Sequence, residues 1–303
     1  MAIATVEEQD LERVLKQYDK IAASFAESGL DLEAIAEVRP RYAITDKGTW
    51  PHTMGNLPEP LPDGSSRLCV LPLSHSPGHV AAISDIVKSI RDLLPPRTDV
   101  FCNPAELLHI TLFHCSHPHD PRPQSLNRDE SFTIAKQPPS QRRAPTRAEI
   151  DAEIALMPKI LGDRAVDPVK VVSIQMAGSG VLLMLSADYS GSIHGIRSRF
   201  QACVPGCPTK QTNIVHSSLM RILTPEQLSL ATRQAIQQRC QDWTEHMRGT
   251  QLNLPEAWYI VEEDYANIRG KTYGFDVPTA SEKPKFVRDQ NYTQPQCNNR
   301  CPK

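Results

Sequence analysis

Apolar and polar positions alternate along the chain with two periods. Residues 5–28 carry Val6, Leu11, Val14, Leu15, Tyr18, Ile21, Ala22 and Phe25 at three-to-four spacing, the pattern of an amphipathic helix. A shorter helix is expected after Asp31, and residues 39–66, rich in Pro, Gly and Asn without a period, read as a linker or surface loop. A strand over 67–73, a helix over about 77–94 and a strand around His109 then form one strand–helix–strand unit. Ser76 suits the N-cap of that helix, Pro77 its first position, and Pro95-Pro96 ends it. Residues 116–148 repeat Pro, Arg, Asp and Gln with almost no apolar period, which predicts a mobile insert. After a helix over about 148–160, the runs 169–176 and 181–185 flank Ala177-Gly178-Ser179-Gly180 as a hairpin. A helix over about 191–202 and a strand around His216 complete a second unit. Thr224-Pro225-Glu226-Gln227 reads as the capped start of a further helix, and 258–261 as a closing strand. From about residue 271 the pattern fades into a tail expected to be disordered.

The expected organisation is a helical extension and linker over 1–65, a principal domain over 66–270 containing the insert, and the tail over 271–303. A chain of 303 residues can bury a sizeable core without disulfide staples. Its net charge of −2 supplies no bulk positive field, which argues against sequence-independent binding of duplex DNA. No apolar run approaches the roughly 18 residues that cross a bilayer, and the first residues lack a basic segment followed by an apolar one. The expectation is a soluble, non-secreted protein, cytoplasmic or nuclear. In that setting the eight cysteines read as thiols, with Cys69, Cys115 and Cys240 in apolar runs as core residues. The pairs Cys203/Cys207 and Cys297/Cys301 have no matched histidine pair at zinc-site spacing, and the sequon Asn291-Tyr292-Thr293 has no consequence outside the secretory route.

The chemistry concentrates in two similar runs, Leu108-His109-Ile110-Thr111-Leu112 and Val215-His216-Ser217-Ser218-Leu219, each closing a strand–helix–strand unit. In a strand alternate side chains share a face, so His109 projects with Thr111 and His216 with Ser218. An imidazole beside a hydroxyl, displayed twice, can hold one phosphate from two sides. With an ordinary pKa near 6.5, one imidazole can be neutral while another is protonated, the requirement for paired general base and general acid catalysis. A third run, His114-Cys115-Ser116, has the opposite parity, which puts His114 on the Leu108/Ile110/Leu112 face or past the strand end. His114, His117 and His119 lack a persuasive acidic or thiol partner beyond Asp120, so no metal is assigned to them. Arg142, Arg143 and Arg147 read as an exposed face of the insert, and Gly178-Ser179-Gly180 lacks the helix and Lys-Ser/Thr of a phosphate loop.

The duplicated motif resembles the two-histidine (2H) phosphoesterase superfamily, which includes cyclic phosphodiesterases and RNA-end processing enzymes. The resemblance covers roughly residues 66–265. It implies an α+β, bilobal fold, with two pseudo-symmetric β-α-β lobes whose antiparallel sheets flank a central cleft. It also implies catalysis by His109 and His216, phosphate binding by Thr111 and Ser218, and neither cofactor nor metal. The expected substrate is a nucleotide or RNA end, and the expected reaction hydrolysis of a 2′,3′-cyclic phosphate. The alternatives are an RNA 3′-end exonuclease of the same superfamily and a non-catalytic nucleotide- or RNA-binding module. A nucleotide cleft calls for an aromatic platform. Phe113, of the same parity as His109, is the first candidate, followed by Tyr189 and Trp258, with Lys210 as a basic helper. The N-terminal extension departs from the compact family pattern; its helix packs on the catalytic body or docks a protein partner.

Overall fold

Two antiparallel sheets carry the two histidine motifs, one on each. The computed structural model describes residues 6–74, 77–162 and 166–278. The first half of the chain holds α1 (Val6–Ser28), α2 (Leu32–Val38), β1 (Tyr42–Thr45), β2 (Gly48–Pro51), β3 (Arg67–Pro72), α3 (Pro77–Arg91), β4 (Val100–Cys102) and β5 (His109–Ser116). It continues through α4 (Arg128–Ala135), α5 (Arg147–Leu161), β6 (Val169–Met176), β7 (Val181–Ala187), α6 (Ser192–Cys203) and β8 (Val215–Ile222). The last elements are α7 (Leu230–Met247), β9 (Gln251–Leu252), β10 (Glu256–Glu262) and β11 (Gly270–Asp276). Strand order is β11-β10-β3-β5 in one sheet and β4-β8-β7-β6-β9 in the other, and β1-β2 is a separate hairpin. The architecture is therefore mixed α+β with antiparallel sheets. The strand–helix–strand units are not self-contained, because β10 and β11 complete the first sheet and β4 joins the second.

Periodicity explains the packing. In α3, Ile83, Ile86 and Ile90 fall on one face and are buried. Leu182 and Met184 of β7 enter the same core, while Val181, Leu183 and Leu185 point the other way and meet Tyr18 of α1. The edge of β6 beyond its short pairing with β9 is closed by α7: Ile174 N–H donates to Thr244 Oγ1 at 2.8 Å, and the Thr244 hydroxyl donates to Ile174 O at 3.2 Å. A side chain thus satisfies an edge that would otherwise invite another strand.

Several boundaries differ from expectation, each because a side chain found a tertiary partner. Residues 39–66 are no linker: Tyr42, Met54, Leu57 and Leu61 form a cluster with Phe101, Leu223 and Tyr265. Helix α7 starts at Leu230 with Ser229 as N-cap, not at Thr224. Gln227 instead accepts from Leu30 N–H at 3.0 Å and donates to Leu30 O, clasping the end of the N-terminal segment. Strand β11 occupies residues assigned to the tail, paired along its length with β10. Ser76, Cys297, Cys301 and the sequon at Asn291 lie outside the described residues.

The segment 116–148 contains α4 and buries Arg122, Ser125, Ser131 and Ile134. Its arginines are engaged within it or beside it: Arg142 donates to Pro121 O, Ala135 O and Gln137 O, and Arg143 pairs with Glu130 and Glu149. The exposed basic face expected there is absent for Arg142 and neutralised for Arg143. Ser125 donates to the Glu153 carboxylate and Arg122 O accepts from Arg67, so the segment closes over a buried ion pair. Replacing residues 118–144 by a short Gly-Ser bridge should therefore abolish cooperative unfolding. A deletion variant that melts cooperatively near the wild-type temperature would show the segment to be dispensable.

Candidate active site

Each motif strand contains a β-bulge directly after the hydroxyl residue of its motif, three positions after the histidine. On β5, Thr111 pairs with Val70 and Phe113 with Cys69, leaving Leu112 as the extra residue. Leu112 and Phe113 therefore both point into the core, and His114, paired with Leu68, returns to the face of His109 and Thr111. On β8, Ser218 pairs with Leu183 and Met220 with Leu182, leaving Leu219 extra, so Arg221, opposite Val181, returns to the face of His216 and Ser218. The parity that had excluded His114 fails because strand alternation breaks at the bulge. The signal was present in the sequence: each histidine is followed by a hydroxyl two positions on and a basic residue five positions on.

The same bulge removes the first aromatic candidate. Phe113 is 1% exposed and stacks on Phe200 with centroids 4.8 Å apart. Tyr189 is exposed in the turn after β7, with the Lys170 ammonium 5.5 Å from its ring centroid. Trp258 pairs with Val70, the partner of Thr111, and so shares the motif face of the first sheet two strands away. Lys210 is exposed and acts electrostatically on His117 and His119.

The motif strands adjoin, and the reason lies in the free edge of β5. As the outer strand of its sheet, β5 presents unpaired backbone groups. Arg197 of α6 donates to Leu112 O at 3.1 Å, to Thr111 O at 2.7 Å and to Ile214 O, just before β8, at 2.9 Å. Gln211 imitates a strand neighbour: its Oε1 accepts from His114 N–H and its Nε2 donates to His114 O, both at 2.9 Å. Asn103, after β4, donates to Ser218 O at 2.6 Å. Tyr18 of α1 anchors the start of β8 by donating to Ser186 O at 2.7 Å and accepting from Val215 N–H at 3.1 Å. Tyr18 and Phe25 are each 1% exposed, so the N-terminal helix packs on the body of the chain through these residues.

Between the sheets lies a cavity of about 170 Å³ whose walls include His109, Thr111, His114 and His117 from one side and Ser218 and Arg221 from the other. Tyr42, Phe101, Glu262 and Ala266 also line it. Another cavity, of about 320 Å³, lies between α1, β6 and α7 and contains neither motif.

Burial controls the protonation states. It pulls His216 down to about 4, assisted by the positive potential of His109 and Arg197. It likewise pulls His114 to about 4, with His109, His216 and Arg197 adding to the effect, and His117 to about 2. His109 is lowered by burial, opposed by the bond from its Nδ1–H to Leu107 O at 2.8 Å, which leaves Nε2 for a ligand. The Ile214 carbonyl stands in the same i−2 relation to His216 and supports its charged form, but hydrogen-bond geometry to Nδ1 is lacking. That carbonyl already accepts from Arg197 and Thr212. Glu262 moves the other way: burial raises it to about 7, against the Ser66 hydroxyl and the Ile268 N–H that it accepts. In the adjoining loop Ala266 and Ile268 take φ of 49° and 58°, a left-handed backbone that a β-branched residue adopts only under constraint.

Among the described residues no cluster of three or more His, Cys, Asp or Glu side chains has metal-binding geometry. No described helix is long and apolar enough to cross a membrane. The chain matches no protein-family signature and no curated protein sequence. Among solved structures it is similar to a conserved protein of unknown function from Agrobacterium tumefaciens, at 14% identity and a TM-score of 0.48, covering 75% of this chain and 94% of that one. It is also similar to Usb1 from Kluyveromyces marxianus, at 11% identity and a TM-score of 0.39, covering 71% and 99% of the respective chains.

Proposed function

We propose that this protein is a two-histidine phosphoesterase that opens a 2′,3′-cyclic phosphate on a nucleotide or RNA end by paired general base and general acid catalysis. The observation that carries the reading is the placement of His109/Thr111 and His216/Ser218 on adjoining strands, with His109, Thr111 and Ser218 lining one cavity and His216 near enough to His109 to feel its charge. One imidazole takes a proton from the attacking water while the other protonates the departing ribose oxygen. Thr111 and Ser218 donate to the non-bridging oxygens as charge builds, and Arg221 supplies positive charge across from His114. The two lobes of the family then correspond to the two sheets, exchanging β4 for β10 and β11. Metal plays no part in this scheme.

The protonation pattern predicts a pH profile. Productive enzyme has one neutral and one charged imidazole, so below both pKa values both carry protons, and above both neither does. Because burial lowers both groups, kcat/KM should peak below the ordinary histidine value of about 6.5 and fall as pH rises through the higher of the two. A bound phosphate anion favours the charged imidazole, so the optimum of kcat should lie at higher pH than that of kcat/KM.

The deciding experiment incubates the protein, with chelator present, with nucleoside 2′,3′-cyclic monophosphates, a short RNA ending in a cyclic phosphate, and the same RNA ending in a 3′-hydroxyl. Ring opening supports the proposal. The exonuclease alternative draws support from Arg41 and Lys210, which act on His117 near the cavity and could receive a longer chain. Stepwise shortening of the hydroxyl-ended RNA would select it. No reaction with any of the three, or activity abolished by chelator, overturns the paired-histidine reading.

A further inference from the structure

Arg197 has no role in the motif and no signature in the sequence, yet it touches both halves of the site. Its guanidinium is bound by three backbone carbonyls, two on β5 and one at the threshold of β8. Among the described residues no carboxylate lies within ion-pair distance of it. Tyr18 and Asp188 act on it from a distance, and the Asp188 carboxylate is committed to the start of α6, where it accepts from Ile193 N–H at 2.7 Å and from His194 N–H at 3.2 Å. Carbonyl dipoles solvate a cation but do not cancel its charge, so Arg197 stands as a half-buried positive charge with no carboxylate in direct contact, an arrangement that an anion in the site would complete. Burial draws its pKa down to about 10, which leaves it charged at neutral pH.

We infer that Arg197 is a positioning residue that locks β5 to β8 at a fixed separation and supplies the standing positive charge that favours an anion between the two histidines. The planar fork explains why arginine is used: one guanidinium spans three carbonyls that a lysine ammonium, a point donor on a flexible stem, cannot hold in the same geometry. Through Thr111 O the clamp acts on the motif residue itself, and through Ile214 O on the residue two before His216. The charge acts on His114 and His216, both of which it disfavours in the protonated form. The other titratable groups around them are His109 on β5, which acts on both, His117, whose ring meets that of His114, and Arg221 on β8 and Glu262 on β10, which line the cavity with His114. The inference rests on the proposed phosphoesterase reading for its chemistry, but its titration and phosphate-affinity measurements do not need turnover.

Arg197→Gln removes the charge and keeps amide donors for the carbonyls; Arg197→Lys keeps the charge and loses the fork. Imidazole titrations followed by NMR and the affinity for inorganic phosphate are the readouts, with kcat and KM on any active substrate. In Arg197→Gln the imidazoles of His114 and His216 should titrate at higher pH than in the wild type, and phosphate should bind about tenfold more weakly. In Arg197→Lys the titrations should stay near wild type while kcat falls and KM changes little. A folded Arg197→Gln protein with unmoved imidazoles and unchanged phosphate affinity overturns the inference. So does Arg197→Lys with full kcat or, where there is no turnover and Arg197→Gln does not fold, with His114 and His216 titrations displaced from the wild type. A wild type inert toward every cyclic phosphate sinks the function reading alone and leaves the titration test standing.

Discussion

Replacing His109 or His216 by alanine should lower turnover of a cyclic phosphate by about 10²–10⁴-fold, the range expected for loss of one positioned acid or base. The two substitutions should not add. A proton donor and a proton acceptor that act in one step fail together, so the double variant should be little worse than either single one. Substrate binding should survive better than turnover, because Thr111, Ser218 and Arg221 remain in the cavity wall. Thr111→Val and Ser218→Ala should cost less, about ten- to a thousandfold in kcat, as when one donor to a developing charge is removed. Single-turnover kinetics on the five variants separates these outcomes. Near-normal turnover in His216→Ala with His109 still essential would contradict the paired mechanism.

The largest effect on stability should come from the ion pair beneath the first sheet. Arg67 of β3 and Glu153 of α5 are 0% and 1% exposed and meet in a two-pronged contact, Nε to Oε2 and Nη2 to Oε1, both 2.8 Å. Burial pushes the Glu153 carboxyl up, and Arg67 together with the Ser125 and Tyr259 hydroxyls more than offsets this, leaving it below its ordinary value. Ser125 and Tyr259 donate to the same carboxylate, while Arg67 reaches Gly64 O and Arg122 O. One pair therefore joins β3, α5, β10 and the segment after β5. Removing one partner strands the other as a buried charge, so Arg67→Met or Glu153→Leu should each destabilise by about 3–5 kcal/mol. The double replacement should recover part of that loss, since apolar groups of similar volume need no partner. Urea unfolding of the four proteins gives the coupling directly, and strictly additive single effects would show that the pair does not act as a unit.

The periodic segments were legible because local physics sets them. The three-to-four spacing of α1 and the hairpin about Gly178 and Gly180 stand where the pattern put them. So does the burial of Cys69, Cys115 and Cys240. Residue alternation likewise sufficed to pair His109 with Thr111 and His216 with Ser218 on common faces. Alternation could not see the bulges at Leu112 and Leu219, since an extra residue is defined by the partner strand opposite it. For that reason Phe113 passed for a cleft residue and His114 for a core one. Compositional reading failed for 39–66, whose scattered apolar residues Tyr42, Met54, Leu57 and Leu61 find partners in Phe101, Leu223 and Tyr265, and for 116–148, where a buried ion pair and backbone carbonyls supply the contacts. Arg197 lay beyond any pattern, because its partners are carbonyls, which every residue carries alike. Which carbonyls it meets depends on where β5 ends its sheet and where β8 begins, and only the folded chain brings those two places together.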